Sequence, residues 1–362
     1  MKVHLMDLSA NSPVVIVGAG LIGASLGCAL VERGVEVFLS DVNPVHAAVA
    51  ASRGAGRLDP VDPRQVKAVF VAVPPDRCAQ VIAESLERYP YAAVSDTASV
   101  KAEIMASVAE HDHKERYVGG HPMAGSHHAG PLMAMSKMFS ERTWVLTCSD
   151  DTSDEAIATI TALIDATGAR RVNVDPVDHD RIVAALSHLP QLVSSLTAAQ
   201  LVDIAPSELN LAGQGLRDVT RIAASDVELW RQIIRANDQA VYERLCTLRD
   251  DLDHLLNHFD SDETIVDLLT RGNRGVEQIP SRAGKDMRCL ARVIVAIPDT
   301  PGAIASLVTK ICAWGVNIED LSIEHDPVEN RGYLSIDVST DEADRLRQSL
   351  MEAGWTIYGE RI

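Results

Sequence analysis

The amino-acid sequence predicts three consecutive parts: an α/β domain with a doubly wound sheet, an all-helical domain, and a small α+β domain. Short apolar strands alternate with helical stretches over residues 1–175, which is typical of a mostly parallel sheet. Residues 176–270 carry amphipathic, helix-period patterns. Residues 289–362 follow the order strand, helix, strand, strand, helix, strand, which predicts a ferredoxin-like sandwich.

Length and charge narrow the possible functions. A chain of 362 residues with 46% hydrophobic residues can bury more than one core. Its net charge of -18 argues against nucleic acid or an anionic membrane surface as a partner. We expect no signal peptide and no apolar stretch near the roughly 20 residues of a membrane span. The six cysteines lack CxxC pairing, so we expect reduced thiols and a cytoplasmic protein.

A glycine-rich turn follows the first predicted strand, residues 14–17. Gly18, Gly20 and Gly23 form a GxGxxG motif that leads through Leu21 and Ile22 into a helix. In a Rossmann-type fold the first glycine permits the turn, the second admits a pyrophosphate, and the third allows close packing of helix and strand. The free N–H groups of the helix N-terminus favour the phosphates.

An acidic residue ends the second predicted strand, at Asp41. A carboxylate there can accept the ribose hydroxyls of the adenosine half and would repel a 2'-phosphate. No arginine follows directly, so the sequence predicts NAD rather than NADP as the cofactor. The alternative is that Asp41 serves only as a turn or cap residue.

Three further loops follow predicted strands and should meet at the carboxyl edge of the sheet. They are Val73-Pro74-Pro75, the stretch 96–99, and His121-Pro122. Ligands of doubly wound sheets bind at this edge, so His121 stands where a catalytic residue is expected. We expect no metal, because no HExxH motif or Cys/His quartet is present.

The predicted helical domain contains one interruption and one pair of cations. Pro190 lies inside a long apolar helical stretch, which predicts a kink or break. The stretch 225–260 is amphipathic throughout, with Ser225 as the expected N-cap. Arg217 and Arg221 are four residues apart and should share a helix face. From spacing alone they could equally be surface arginines.

Five motifs occur in an order that resembles the prephenate/arogenate dehydrogenase family of tyrosine biosynthesis. They are the GxGxxG turn, "DTASVK", "GGHPMAG", "SHLP" and "GLRDVTRIAASDVELW". The resemblance covers residues 13–270. Members of this family oxidise the ring carbinol of prephenate or arogenate with NAD(P), and the ring loses CO₂ and becomes aromatic.

The resemblance implies a role for each matching residue. His121 matches the base that accepts the hydroxyl proton, a task suited to an imidazole with an ordinary pKa of about 6.5. Ser99 matches a serine in the same polar cluster. Arg221 matches the arginine that binds the ring carboxylate. The remaining substrate-pocket matches are Arg217, His188, Trp230 and Ser126.

His127 departs from the family pattern. Many prephenate-specific relatives carry an acid at this position, after "HPxAG[TS]", so the choice between prephenate and arogenate stays open. His127 could add positive charge near the substrate side chain, or it could point into solvent. The neighbouring His128 has the same two readings.

The predicted C-terminal domain follows a glycine-containing, mixed-charge linker, residues 271–288. The stretches "DTPGAIASL" and "GVNIEDLSI" resemble an ACT domain, a module that binds amino acids between paired copies. The resemblance implies feedback control, most naturally by tyrosine. The ligand loops it implies contain Asp299, Gly302, Ala303, Val316 and Asn317. The alternative is an ACT domain that serves only assembly.

The sequence therefore predicts an NAD-dependent prephenate dehydrogenase that forms a homodimer. Arogenate dehydrogenase is the rival within the same class. A β-hydroxyacid dehydrogenase would use a lysine in the helical domain, where this chain offers arginines. A non-catalytic amino-acid sensor is the rival from another class, and NAD binding without turnover would favour it.

Overall fold

The computed structural model describes residues 8–125, 130–279, 290–326 and 331–358. The chain divides into two compact units, Met1–Asp250 and Asp251–Ile362. The predicted residues Ser126, His127 and His128 lie outside the described residues, as do 280–289 of the predicted linker and its C-terminal boundary.

The first unit contains a seven-stranded sheet of order β2-β1-β3-β4-β5-β6-β7. Its strands are β1 (Val14–Val17), β2 (Val37–Ser40), β3 (Ala68–Val71), β4 (Ala93–Asp96), β5 (Tyr117–Pro122), β6 (Thr143–Thr147) and β7 (Arg170–Asn173). All neighbours are parallel except β5 and β6. This confirms the predicted doubly wound sheet. The edge strand β7 was not predicted, because its four residues are all exposed and lack an apolar pattern.

Helices cover both faces of this sheet. They are α1 (Leu21–Val31), α2 (Pro44–Ser52), α3 (Pro75–Arg88), α4 (Ala102–Ala109) and α5 (Asp154–Ala166). Successive side chains of β1 point to opposite faces, so Val14 and Ile16 join the core with α1 and α5. Val15 joins a second core with α3 and α4. The two cores fix the strand ends relative to one another.

A helical region follows the sheet. Its helices are α6 (Pro176–Val183), α7 (Leu189–Ala199), α8 (Gln214–Thr220), α9 (Val227–Ala236) and α10 (Asp238–Asn257). The break expected near Pro190 is a π-helical turn, Ala184–His188, between α6 and α7. Because Pro190 lacks an N–H, the wider turn absorbs the interruption of the helical hydrogen-bond pattern.

Two details of the stretch 225–260 differ from the prediction. Asp226 rather than Ser225 caps α9, because its Oδ1 accepts the Leu229 N–H at 2.7 Å. The Ser225 hydroxyl instead accepts the Gln191 side-chain N–H at 2.7 Å. The expected single helix is also divided into α9 and α10 at Asn237, whose side chain is engaged elsewhere.

Within the described residues one helical stretch, Pro176–Ala199, is long and apolar enough to cross a membrane by length and composition. This stretch of 24 residues differs from the expectation that no apolar stretch comes near the length of a membrane span. A core helix of a soluble protein passes the same test, so the finding does not assign the segment to a membrane.

The second unit begins at Asp251, within α10, and its first complete helix is α11 (Asp262–Glu277), which continues through residues 271–277 of the predicted linker. The remaining elements are β8 (Leu290–Pro298), α12 (Ala303–Ala313), β9 (Asp320–Asp326), β10 (Arg331–Ser339), α13 (Thr340–Glu352) and β11 (Thr356–Tyr358). The predicted order of strands and helices is confirmed. The strands form an antiparallel sheet of order β11-β8-β10-β9.

Candidate active site

The glycine turn after β1 has the geometry of a phosphate cradle. Gly18 adopts a φ of +98°, and an added Cβ would lie 2.2 Å from the Ala72 carbonyl oxygen. A Cβ on Gly23 would lie 1.9 Å from the Gly18 carbonyl oxygen, so α1 packs directly on the turn. A Cβ on Gly20 would meet nothing within 4 Å. The N-terminus of α1, at Leu21 and Ile22, has no side-chain cap and faces this open space with its free N–H groups.

Asp41 lies against the same turn. Its Oδ2 accepts the Ala19 N–H at 2.6 Å and its Oδ1 accepts the Asn43 N–H at 2.7 Å. The carboxylate is therefore held next to the cradle, with further lone pairs available to a ribose.

The loop after β3 borders the cradle as well. The Val73 side chain would approach a Cβ on Gly18 to 3.2 Å, while Pro74 precedes α3 and Pro75 begins it. The structure thus brings the predicted cofactor residues of the first three strands together.

A fully buried carboxylate, Asp96, organises the next loops along the same edge. Its Oδ1 accepts the Ala98 N–H at 2.7 Å and contacts the ammonium of Lys101, which is also fully buried. Its Oδ2 accepts the Tyr117 hydroxyl at 2.6 Å and the Gly120 N–H at 3.2 Å. One side chain therefore fixes the "DTASVK" loop against the "GGH" strand.

A second buried carboxylate, Asp180 on α6, ties that loop to the helical region. Its Oδ1 accepts the Lys101 N–H and its Oδ2 accepts the Ala102 N–H, both at 2.8 Å. Oδ1 also lies 2.7 Å from Nδ1 of His179. A carboxylate oxygen accepts hydrogen bonds, so Nδ1 of His179 is the donor in this third bond.

The histidine predicted as the base, His121, completes this chain of contacts. Its Nδ1 lies 2.8 Å from Nε2 of His179. With the ring proton of His179 on Nδ1, its Nε2 accepts, and His121 donates from Nδ1. The Nε2 of His121 is then an acceptor, and within the described residues it has no hydrogen-bond partner. His179 is 2% exposed, whereas His121 is only partly buried.

The environment keeps His121 neutral. Burial, and then the nearby His179, Lys101 and His188, hold the pKa of His121 well below its ordinary value of 6.5. A neutral imidazole with a free Nε2 can accept a proton at neutral pH.

His188, at the end of the π-helical turn, is held as a neutral donor. Its Nδ1 accepts the Asn237 side-chain N–H at 3.1 Å, and Asn237 also donates to the Asp180 carbonyl oxygen at 2.8 Å. Burial lowers the pKa of His188 to about 4. The ring proton therefore sits on Nε2, and the ring packs edge-on against Trp230 with centroids 6.0 Å apart.

Three predicted site residues are less closely tied to this cluster. Ser99 follows β4 and is partly buried, and within the described residues its hydroxyl makes no hydrogen bond to His121. Arg217 lies on α8, and Arg221 begins the short turn Arg221–Ala223 that follows; both are exposed. This turn and α8 pack against α7. The roles of these three residues stay predictions.

The predicted regulatory residues occupy two kinds of position in the second unit. Asp299 and Gly302 line an open cavity of about 690 Å³ formed by residues 299–302, 304, 305 and 308. Ala303 begins α12 beside it. Val316 is buried in the core, and the exposed Asn317 donates to Glu319 at 2.8 Å. Neither of these two residues lines the cavity.

Sequence reasoning missed the supporting residues of the site. His179 and Asp180 were read as part of an apolar helix, and Asn237 as the interior of a long one. Their position carried a signal. His179 and Asp180 fall on the buried face of α6, and buried polar groups need hydrogen-bond partners because unpaired ones are costly.

Comparison with known proteins identifies the family of this chain. Residues 26–173 match the family model "Prephenate dehydrogenase, nucleotide-binding domain", and residues 175–271 match "Prephenate dehydrogenase, dimerization domain". "Probable prephenate dehydrogenase NovF" of Streptomyces niveus is 31% identical over 355 residues, which cover 94% of this chain and 98% of that protein. The chain belongs to the prephenate dehydrogenase family.

Further proteins are similar to this chain. Prephenate dehydrogenase of Bacillus subtilis is 25% identical over 94% of this chain and 95% of its own length. The solved arogenate dehydrogenase of Synechocystis is 26% identical with a TM-score of 0.60, over 74% of this chain and 99% of that one. The solved prephenate dehydrogenase of Aquifex aeolicus, at 24% identity and a TM-score of 0.66, covers 74% and 98% and shares the fold.

We predict that the buried Asp96–Lys101 pair is strongly coupled. Lys101→Met alone leaves a buried charge without its partner and should cost about 3–5 kcal/mol of unfolding free energy. Urea unfolding of Asp96→Asn, Lys101→Met and the double variant measures the coupling. The unfolding free energies lost in the two single variants should add up to about 1–3 kcal/mol more than the loss in the double variant. The exposed pair Lys114–Asp151, at 3.0 Å, is the control, and its coupling should be much smaller. An equal coupling energy for the buried Asp96–Lys101 pair and the exposed Lys114–Asp151 pair would contradict the prediction.

Proposed function

We propose that the chain is an NAD-dependent prephenate dehydrogenase, which converts prephenate to 4-hydroxyphenylpyruvate and CO₂ in tyrosine biosynthesis. The observation that carries the proposal is the state of His121. Burial holds its pKa well below the ordinary value, its Nδ1 lies 2.8 Å from Nε2 of His179, and its Nε2, at the carboxyl edge of the sheet, has no hydrogen-bond partner within the described residues. Family membership and the names of the relatives support the same activity.

The glycine turn supports NAD as the cofactor. The open space at Gly20 and the uncapped N-terminus of α1 suit a pyrophosphate, and Asp41 suits an unphosphorylated ribose. When bound, NAD⁺ supplies an acceptor for the hydride of the ring carbinol. The residues of β1, β2 and β3 would hold it, and those of β4 and β5 border the reacting end.

His121 would act on the hydroxyl group of the substrate. Its Nε2 takes the hydroxyl proton as the carbinol C–H bond yields its hydride, so that a carbonyl forms. The bond to the ring carboxylate then breaks, CO₂ leaves, and the electron pair enters the ring, which becomes a phenol on protonation of the oxygen. General-base catalysis of this kind contributes about 10²–10⁴-fold.

Cationic and neutral donors would bind the two carboxylates of prephenate. Arg221 and Arg217 offer planar guanidinium groups, of which Arg221 is proposed for the ring carboxylate. His188 offers Nε2–H without a charge, and Trp230 packs against it. Ser99 and Ser126 are proposed as hydroxyl partners of the substrate.

Arogenate is the second candidate substrate. One relative is named arogenate dehydrogenase, and another, from Zymomonas mobilis, is named cyclohexadienyl dehydrogenase and is 27% identical over 68% of this chain. His127 is the residue proposed to influence this preference.

The activity is tested by following NADH at 340 nm with prephenate and arogenate, each with NAD and NADP. We expect turnover of prephenate with NAD. His121→Asn should lower kcat by about 10²–10⁴-fold with little change in substrate KM, because only proton acceptance is lost. The exposed His113→Asn is the control and should behave as wild type. Near-normal turnover by His121→Asn would remove it from the base role, and no turnover of either substrate by wild type would reject the activity.

We propose that the second unit contains a ferredoxin-like ACT domain, residues 289–362, and that it binds tyrosine as a feedback inhibitor. Its antiparallel sheet and its β-α-β-β-α-β order support the fold. The cavity beside Asp299 and Gly302 supports an amino-acid site, because a carboxylate and uncapped helix N–H groups can bind an ammonium and a carboxylate respectively.

Tyrosine should therefore raise the substrate KM or lower kcat of the intact chain. Asp299→Ala should raise the tyrosine concentration needed for half inhibition by about 10–150-fold, because a hydrogen bond to a charged group is lost. Asp344→Ala is the control, since Asp344 is exposed and pairs only with Arg347 in the described structure. If tyrosine changes no kinetic constant of the wild-type protein, the domain serves assembly instead.

A homodimer formed by the helical domain, residues 176–270, is also part of the proposal. Residues 175–271 match a dimerization domain. Large apolar side chains are exposed across this region of the first unit, namely Leu186, Leu196, Val202 and Leu211, as expected of a surface that a second copy covers. A cytoplasmic location remains a prediction.

A further inference from the structure

Proton acceptance by His121 places a positive charge on its imidazole ring. Burial disfavours the imidazolium that forms, and the charge of Lys101 and those of His179 and His188, when protonated, oppose it. The carboxylate of Asp96 is already paired with Lys101. A positive charge left on His121 would therefore be poorly stabilised.

Within the described residues, one chain of hydrogen bonds joins the His121 ring to a carboxylate. His179 accepts from Nδ1 of His121 at 2.8 Å and donates to Oδ1 of Asp180 at 2.7 Å. His179 and Asp180 are 2% and 5% exposed, so water does not compete for these bonds. Within the described residues, Asp180 is the one carboxylate that is hydrogen-bonded to either ring.

We propose that His179 and Asp180 form a proton relay behind His121, an inference that rests on the proposed dehydrogenase activity. His121 takes the substrate proton on Nε2 and passes its Nδ1 proton to Nε2 of His179. His179 then carries both ring protons and forms an ion pair with the Asp180 carboxylate. His121 ends neutral with its proton on Nε2, and the positive charge lies beside a buried anion.

The relay also explains why Asp180 is tied so firmly to the loop after β4. Its two oxygens accept the backbone N–H groups of Lys101 and Ala102, and the Asp180 carbonyl accepts the Asn237 amide. These bonds fix the carboxylate, and through it the tautomer and orientation of His179. A buried carboxylate has the same positioning task in catalytic triads, where its loss costs about 10⁴-fold.

Three variants of the intact chain separate the relay from a structural role. His179→Leu fills the buried position with an apolar side chain but removes the nitrogen that accepts from His121. His179→Gln keeps an amide oxygen that can accept from His121 but cannot take a proton. Asp180→Asn removes the anion. Asp178→Asn is the matched control on the same helix, because Asp178 is exposed and pairs with Arg181.

We expect His179→Leu and Asp180→Asn to lower kcat by about 10²–10⁴-fold while substrate KM stays near the wild-type value. His179→Gln should recover part of the kcat lost in His179→Leu, because the orientation of His121 is restored. Thermal unfolding of each variant checks that it is folded.

The pH profile supplies the readout that a structural role would not change. In the wild type the acid limb of kcat/KM reports the first proton taken by the two rings together, which Asp180 stabilises. In His179→Leu and His179→Gln the second ring is gone and His121 must hold the charge alone, and in Asp180→Asn the two rings have lost their anion. The limb should therefore move to lower pH in all three variants. An unmoved limb in folded His179→Leu, or full recovery of both kcat and the limb by His179→Gln, would overturn the relay.

The outcomes also separate this inference from the proposed function. If wild type and Asp178→Asn both fail to oxidise prephenate or arogenate, the proposed function is wrong. If both are active and His179→Leu matches them in kcat and pH profile, the function stands and the relay is wrong.

Discussion

The hydrogen bonds of the Asp180 carboxylate hold the active site together. Asp180 belongs to the helical region, yet its oxygens accept the N–H groups of Lys101 and Ala102, where the loop after β4 enters α4. The same carboxylate accepts from His179, which in turn accepts from His121. A base on a strand and a pocket on helices must be positioned within a few tenths of an ångström to work together, and this buried anion connects the two.

Charge is compensated step by step across the site. Lys101 is buried among the loops that carry Ser99 and His121, and Asp96 neutralises it while fixing Tyr117 and the Gly120 backbone. The glycines of β5 permit this contact, since a Cβ on Gly120 would lie 2.5 Å from the Asp96 carbonyl oxygen. Burial holds the pKa of both His121 and His188 below the ordinary value, so that binding an anionic substrate would rely on the exposed arginines and donor N–H groups rather than on protonated histidines.

Local patterns in the sequence predicted the doubly wound sheet and the strand ends that meet at one edge of it. The GxGxxG turn, Asp41 and the loops that end at His121 were predictable because strand ends of a parallel sheet meet at one edge. The interruption before Pro190 followed from its missing N–H. The cap at Asp226, the break at Asn237 and the His179–Asp180 pair were not predictable, because each depends on a partner distant in sequence: Gln191 engages Ser225, and Asn237 bonds to residues of α6 and the π turn. Helical periodicity identifies a buried face but not the polar contacts within it.

The most direct test of this account is ¹⁵N NMR of histidine-labelled protein at neutral pH, with His121 and His179 assigned from the spectra of His121→Asn and His179→Gln. It requires neither substrate nor cofactor. The account predicts that both rings are neutral, with protons on Nδ1 and unprotonated Nε2 nitrogens. A His121 protonated on Nε2 would contradict it, because the nitrogen that must accept the substrate proton would already carry one.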